Sequence, residues 1–116
     1  MSEIFVFGSN LAGRHGKGAA LFARKTYGAV YGQGVGLQGA SYAIPTKDEN
    51  LVSLSLHTIN YHVINFMEFA SQHPEMIFNV TPIGCGLAGY KPESIAPMFK
   101  GVSSNVKLPE EFIEFL

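Results

Sequence analysis

The segment Ile4–Thr26, IFVFGSNLAGRHGKGAALFARKT, contains the succession of elements that decides the fold. Its four consecutive apolar residues, Ile4–Phe7, are typical of a strand buried on both faces of a parallel sheet. The glycine-rich stretch Gly8–Gly18 then predicts a loop. Ala19–Thr26 has the composition of a helix, with no helix breaker before Gly28. A strand, a loop and a helix in this order form the first half of a βαβ unit.

The rest of the chain continues this alternation of strands and helices. The strongest helical signal spans residues 54–71, where apolar residues recur at helical spacing, and Pro74 follows it. Short apolar strands are predicted at residues 41–44, where Pro45 ends the run, and at residues 76–81.

Three weaker segments complete the prediction. Gly28–Gly39 has no usable periodicity and is predicted to be an exposed loop. A short helix is expected from Pro92, followed by a strand at residues 105–108 and a final helical turn in residues 109–116. The predicted fold class is therefore α/β, a three-layer α/β/α sandwich with a small, mostly parallel sheet, in a single domain of residues 1–116.

Composition narrows the class of protein. The chain has 116 residues, of which 47% are hydrophobic and 15% charged, a balance that predicts one packed core. A single cysteine leaves no internal disulfide, which is typical of a reducing compartment. The N-terminal residues lack a signal region, and no apolar run approaches the ~18 residues of a membrane span. We therefore expect a soluble, cytoplasmic protein without a membrane partner.

The charged residues are unevenly distributed between the two halves of the chain. The net charge of −1 gives no case for a nucleic-acid partner. Residues 1–47 carry five basic side chains and one acidic, whereas residues 48–116 carry three basic and eight acidic. A basic half with its charges beside glycines suits a phosphate or another small anion, and a solvated basic surface is the alternative.

Three notable segments follow predicted strands: Gly8–Gly18, Thr46–Asp48 and Gly84–Tyr90. Because ligands bind outside the carboxyl ends of strands in open α/β sheets, we expect all three at one rim. Gly16–Ala20 begins a predicted helix, where free backbone N–H groups and the helix dipole form an anion site. It matches neither the P-loop nor the Rossmann pattern. Two glycine loops facing each other suit a diphosphate and hence a dinucleotide-like ligand.

Ordered motifs in these segments resemble one family. Phe7–Asn10 followed by Gly16–Ala20 resembles the asparagine-then-glycine pattern of macro domains, the ADP-ribose-binding modules. Ile83–Tyr90, IGCGLAGY, resembles their second ligand loop, and it is closest to the IGCGLD form of terminal ADP-ribose glycohydrolases. Ile44–Lys47 is similar to the strand end that carries the catalytic lysine of that subgroup. The resemblance covers about residues 4–100 in order, and it implies a minimal macro-like domain.

The resemblance also implies a ligand and a site. The ligand is ADP-ribose or a related NAD-derived nucleotide, bound as a small-molecule partner without a separate cofactor. Asn10 would contact the distal ribose. The two glycine loops would each hold one side of the diphosphate, and Tyr90 would pack against the second loop or the ligand. The implied ligand-binding residues are Asn10, Gly16, Gly18, Ala19, Gly84, Cys85, Gly86, Leu87, Ala88 and Tyr90. Asparagine is also common in tight turns after strands, which is the alternative role of Asn10.

Two positions depart from the family pattern. Ala88 stands where the glycohydrolases carry an aspartate. The family also has an adenine-binding aspartate upstream of the first strand of the motif, whereas Glu3 is the sole acid before Asn10 in this chain. Lys47 is the candidate catalytic residue, as a nucleophile or as a cation that attracts phosphate. Asp48 is expected to point away from it. We therefore expect binding without appreciable hydrolysis. An ADP-ribosyl glycohydrolase, an ADP-ribose-phosphate phosphatase and a non-catalytic protein interaction module are the alternatives.

Cysteine and histidine give weaker signals. The glycine N–H groups around Cys85 would lower its thiol pKa, although a small residue filling a tight loop is the favoured interpretation. The four histidines have no metal-binding spacing, so no metal site is predicted. His15, inside the first loop, is a candidate ligand contact, whereas His57, His62 and His73 are interpreted as surface or cap residues.

Overall fold

Parallel strand pairing builds the sheet at the centre of the molecule. The computed structural model describes residues 2–116. Its strands are β1 (Ser2–Asn10), β2 (Gly36–Gln38), β3 (Ser41–Lys47), β4 (Met76–Val80) and β5 (Val106–Lys107). The spatial order is β2-β3-β1-β4-β5. β1 pairs in parallel with β3 and β4, and β4 pairs in parallel with β5, whereas β2 runs antiparallel along β3.

Helices cover both faces of this sheet. They are α1 (Gly18–Thr26), α2 (Leu56–Ser71), α3 (Pro92–Ile95) and α4 (Glu110–Ile113), with a 3-10 turn at Ala96–Phe99. α1 packs on one face, and the remaining helices pack on the other. The predicted α/β class with a mostly parallel sheet is confirmed.

Alternate side chains of β1 pack into two separate cores. Ile4 and Val6 join the larger core, which includes Phe66 of α2 and Phe78 of β4. Phe7 points to the other face and joins a smaller core with α1. Because β1 is buried on both sides over these residues, its sequence is a continuous apolar run rather than an alternating one.

The long helix α2 begins close to its predicted start. Ser55 is the N-cap residue, and its hydroxyl accepts a hydrogen bond from the backbone N–H of Thr58. A serine at this position satisfies a donor that the first turn of a helix leaves free. Ile59, Val63 and Phe66 form the buried face that the helical spacing predicted.

The prediction that Pro45 ends the strand of residues 41–44 is wrong, since this strand, β3, continues to Lys47. β2 pairs with β3 only as far as Ala43, so Pro45 lies where β3 has no neighbour on that side. A proline without an N–H removes no ladder hydrogen bond at such an edge. The longer strand carries Thr46 and Lys47 to the rim of the sheet, where the register with β1 shifts at Ser9 and Asn10.

The prediction that Gly28–Gly39 is an exposed loop is also wrong in part. β2 lies within it, and Ala29 and Gln38 are buried. The Gln38 Oε1 atom accepts a 2.7 Å hydrogen bond from the N–H of Val30, and its Nε2 donates to the carbonyl of Gln33 at 3.0 Å. A buried amide therefore organises this segment, and apolar periodicity gives no signal for such an arrangement.

In residues 2–116, no helix combines the length and the apolar character that crossing a membrane requires.

Candidate functional site

The carboxyl ends of β1, β3 and β4 surround a cavity of about 740 Å³. Cavities of ~300–1,000 Å³ are typical of small-molecule sites. Its lining joins three parts of the chain that are distant in sequence: the first glycine loop (residues 13–18), the end of β3, and the second glycine loop (residues 84–90). The rim expected from the strand order is thus one continuous concave surface.

The first glycine loop presents backbone donors to this cavity. The N–H groups of residues 16–20 have no acceptor among the described residues. Lys17 is the N-cap residue of α1, and its side chain makes no capping hydrogen bond. An extra Cβ at Gly16 would meet no atom within 4 Å, so no neighbouring group crowds the backbone there. These donors and the helix dipole favour an anion.

The second glycine loop supplies a further set of free donors. Three short-range hydrogen bonds close it, from Cys85 N–H to Pro82 O, from Gly89 N–H to Gly86 O and from Tyr90 N–H to Gly84 O. The N–H groups of Gly86, Leu87 and Ala88 have no acceptor in the described part of the chain. Consecutive free N–H groups of this kind form an anion-binding concavity.

Asn10 closes the first glycine loop with its own side chain. Its Oδ1 accepts a 2.9 Å hydrogen bond from the N–H of Arg14, and its Nδ2 donates at 3.0 Å to the carbonyl of Arg14. The residue is buried and also lines the cavity. The turn-forming role is therefore present, and contact with a ribose stays a prediction.

Three cationic side chains line the cavity: Arg14, Lys17 and Lys47. Asp48 follows Lys47 but is not part of the lining. Its Oδ1 accepts hydrogen bonds from the N–H groups of Asn50 at 2.8 Å and Val52 at 3.0 Å. The carboxylate of Asp48 is thus engaged in a turn. This agrees with the expectation that Asp48 points away from Lys47.

This turn holds Leu51 in an unusual conformation. Its φ is 64°, and no other non-glycine residue in residues 2–116 has a positive φ. The side chain is 45% exposed, and that of Leu87 on the second loop is 66% exposed, yet both line the cavity. Two leucines therefore give the cavity mouth an apolar edge beside its cations.

Tyr90 does not line the cavity. Its hydroxyl donates a 2.6 Å hydrogen bond to the carbonyl of Leu54, and its ring packs against the larger core. The candidate catalytic residue and the other ligand-binding residues that the resemblance implies do line it: Lys47, Asn10, Gly16, Gly18, Ala19, Gly84, Cys85, Gly86, Leu87 and Ala88.

Glu111 is a lining residue that the sequence analysis missed. It belongs to α4, which follows β5, and it is the one acidic side chain in the lining among the described residues. The available signal was the predicted parallel strand at residues 105–108, because its carboxyl end shares the rim with the other strands. The short C-terminal segment contains no motif that marks Glu111 as a site residue.

The environment of Cys85 opposes nucleophilic chemistry. Burial raises the pKa of the Cys85 thiol, and the negative charge of Glu111 raises it further. Free N–H groups in the loop therefore do not make Cys85 a thiolate at neutral pH. It fills a tight loop as a small, partly buried side chain.

His15 lies outside the cavity lining and is fully buried. Its Nε2 lies 2.9 Å from the carbonyl oxygen of Gln33 and 3.2 Å from Oε1 of Gln38, so we assign the proton to Nε2. His15 thus organises the segment around β2. Within residues 2–116, no group of three or more histidine, cysteine or acidic side chains is arranged to hold a metal ion.

Comparison with protein-family models, with curated proteins and with solved structures finds no match to this chain.

Proposed function

We propose that this chain binds ADP-ribose or a related NAD-derived nucleotide through its two glycine-rich loops. The observation that carries the proposal is the pair of free donor sets, at residues 16–20 and 86–88, in the lining of one cavity. A single phosphate needs one such set. Two sets in the same cavity suit a diphosphate, because each phosphate then meets its own backbone donors.

The charges and shape of the cavity support the same ligand class. Arg14, Lys17 and Lys47 add positive charge around the donors. Leu51 and Leu87 offer apolar contact to the carbon-rich parts of a nucleotide. A lining that joins anion donors with apolar surface is typical of sites for cofactor-sized ligands. The segments that resemble macro domains are also the ones that line this cavity.

Binding is favoured over hydrolysis. Lys47 lies at the cavity, but Ala88 has no group that exchanges a proton, and the carboxylate of Asp48 caps a turn. Glu111, the acidic residue of the lining, belongs to α4 after β5, whereas Lys47 ends β3. We therefore assign the chain to the binding modules of this ligand class rather than to its hydrolases.

Titration calorimetry with ADP-ribose, ADP, AMP and ribose 5-phosphate tests the proposal. We expect ADP-ribose to bind best and Gly86→Val to abolish its binding, because the new side chain enters the space in front of the free N–H groups. An extra Cβ at Gly86 meets no atom within 4 Å, so the fold should persist. Ser104→Val is the matched control, since Ser104 is exposed and precedes β5 at the opposite edge of the sheet.

Absence of binding by all four ligands at millimolar concentration would refute the proposal and favour a protein interaction module. Wild-type affinity in Gly86→Val would refute the assignment of the second loop. A thermal melt of each variant establishes that lost binding does not reflect unfolding, because a ligand that binds only the native state raises its melting temperature.

A further inference from the structure

We propose that a second copy of this chain docks on the part of the sheet that α1 leaves uncovered. In this dimer, α1 of each copy covers β4 and β5 of the other. The residues that form the contact lie outside the cavity lining, so the dimer does not depend on the proposed nucleotide binding.

The helix α1 covers only part of its face of the sheet. The smaller core joins α1 to Phe7 of β1 and Ala43 of β3, and it includes no residue of β4 or β5. Within residues 2–116, the other helices pack into the larger core on the opposite face. The helix layer on the α1 face is therefore incomplete over two strands, whereas sheets of this class are covered on both faces.

The uncovered strip consists of Ile77, Asn79 and Lys107, with Glu3 at its edge. Ile77 is in register with Glu3, and Asn79 with Lys107, so these side chains share one face of the sheet. Across this face, the Nδ2 atom of Asn79 donates a 3.0 Å hydrogen bond to Oε1 of Glu3. Ile77 is half-buried and belongs to neither core. The strip thus presents an apolar side chain framed by polar and charged ones, a pattern typical of an interaction surface.

The helix α1 of a second copy has the width and the side chain to fill this strip. Two strand spacings cover about 10 Å, and a helix with its side chains is ~10–12 Å in diameter. Phe22 of α1 is 50% exposed, and its ring packs edge-on against Phe5 of β1 with centroids 5.5 Å apart. Phe22 therefore stands at the border of the strip, where it can pack on Ile77 of the second copy.

Charge favours a second copy as the occupant of the strip. Because α1 begins beside the cavity at the carboxyl ends of the strands, its last turn lies toward their amino ends. That turn carries Arg24 and Lys25, whereas Glu3 lies at the amino end of β1. The guanidinium carbon of Arg24 lies 5.0 Å from the ring centroid of Tyr31. Lys25 and Glu3 are both exposed, and neither forms an ion pair within residues 2–116.

Two-fold symmetry makes the contact self-complementary. An axis parallel to the strands brings Lys25 of each copy to Glu3 of the other, and an isologous interface forms both pairs together. The two α1 helices then lie side by side between the two sheets. Each copy thereby supplies the part of the helix layer that the other lacks.

Sedimentation equilibrium tests the proposal through the mass of the particle. We expect wild type to have twice the mass of one chain. Phe22→Ser should raise the dissociation constant of the dimer about 100-fold, because a buried aromatic anchor is lost at both symmetric contacts. Tyr61→Ser is the matched control, since Tyr61 is an exposed aromatic residue of α2, on the opposite face of the sheet. It should leave the dimer unchanged.

Charge reversal tests the pairing of Lys25 with Glu3. Lys25→Glu and Glu3→Lys should each weaken the dimer about tenfold, because each replaces two attractions by two repulsions. Combining the two substitutions should recover the wild-type dissociation constant. Lys100→Glu is the control, since it reverses an exposed charge that follows the 3-10 turn on the other face.

A single-chain mass of wild type up to millimolar concentration would overturn the proposal. A dimer that persists unchanged in Phe22→Ser, or a combined charge reversal no tighter than either single one, would also overturn it. Thermal melts of each variant separate lost association from unfolding. If Phe22→Ser is unfolded, the charge reversals still decide the outcome, because both sites are exposed.

Discussion

The hydroxyl of Ser53 donates a 2.7 Å hydrogen bond to the carbonyl oxygen of Ala88, which ties the segment after β3 to the second glycine loop. The hydroxyl of Tyr90 makes a parallel connection to the carbonyl of Leu54 at 2.6 Å. Both ties lie at the C-terminal end of the loop, directly after the free N–H groups of Gly86, Leu87 and Ala88. A loop held in its binding conformation before the ligand arrives loses less entropy on binding.

Removing one of these ties should loosen the loop. Tyr90→Phe retains the ring in the core but leaves the carbonyl of Leu54 without its donor. We expect a loss of about 1 kcal/mol in the free energy of unfolding, and a weaker affinity for ADP-ribose. Urea denaturation and calorimetry measure the two effects. Ser53→Ala is the companion variant, and unchanged stability and affinity in both would show that these bonds do not organise the loop.

Asn10 should matter to the fold independently of any ligand. Asn10→Ala deletes both hydrogen bonds to the backbone of Arg14, so we expect a loss of about 2 kcal/mol in the free energy of unfolding. Asn10→Asp keeps the acceptor for the N–H of Arg14 but turns a carboxylate oxygen toward the carbonyl oxygen of Arg14, so it should be destabilising as well. If both variants unfold at the wild-type urea concentration without ligand, the side chain is not a loop clamp.

The strained residue Leu51 offers a stabilising change. A leucine at φ 64° is sterically disfavoured, whereas asparagine tolerates this conformation. Leu51→Asn should therefore raise the free energy of unfolding by about 0.5–1 kcal/mol. Leu87→Asn is the control for lost exposed apolar surface, since no positive φ is relieved there. A lower melting temperature of Leu51→Asn than of wild type would contradict the assigned strain.

The thiol of Cys85 should react slowly at neutral pH. Because its pKa is raised, a smaller fraction is thiolate than in a free cysteine, and alkylation by iodoacetamide should accelerate only at higher pH. The neutral thiol is the form favoured in the fold, so this group contributes stability at low pH that is lost as the pH rises through its folded pKa. Glu111→Gln removes one cause and should shift the alkylation profile to lower pH, whereas Glu110→Gln should not. Superimposable profiles for wild type and Glu111→Gln would contradict the effect of Glu111.

Much of the fold could be predicted from local pattern. The apolar run in β1 and the helical spacing in α2 each report burial directly, so their type and approximate position followed from sequence. β2 could not be predicted, because its three residues are organised by the buried amide of Gln38. The end of β3 was misjudged because Pro45 is a breaker only where a neighbouring strand needs its N–H.

The candidate site also has parts that could be predicted from sequence and parts that could not. The glycine loops were visible because their composition is unusual and their places after strands are fixed by the sheet. Glu111 was not, because its place in the cavity depends on how a two-residue strand and a four-residue helix pack at the end of the chain. The strand order needed for that inference is a tertiary property, which no local pattern in residues 105–116 expresses.

Lys47 lacks a neighbouring acid–base group of the kind that catalysis requires. Hydrolysis of an ADP-ribosyl bond through Lys47 needs a partner that exchanges protons, and Ala88 is not one. The loss of such a group typically costs ~10²–10⁴-fold in rate. Asp48 is engaged with the N–H groups of Asn50 and Val52. Glu111, the acidic residue of the cavity lining, belongs to α4 after β5, whereas Lys47 ends β3. We therefore expect wild type to bind an ADP-ribosylated protein without releasing the modification.

The assay incubates that substrate with wild type, Lys47→Ala, Ala88→Asp and the double variant. Activity that appears in Ala88→Asp and vanishes when Lys47→Ala is added would show that the missing carboxylate alone separates this site from a hydrolase. Rapid turnover by wild type that is lost in Lys47→Ala would show instead that the chain is an enzyme whose proton partner is another residue, and Glu111→Gln would then be the first variant to assay.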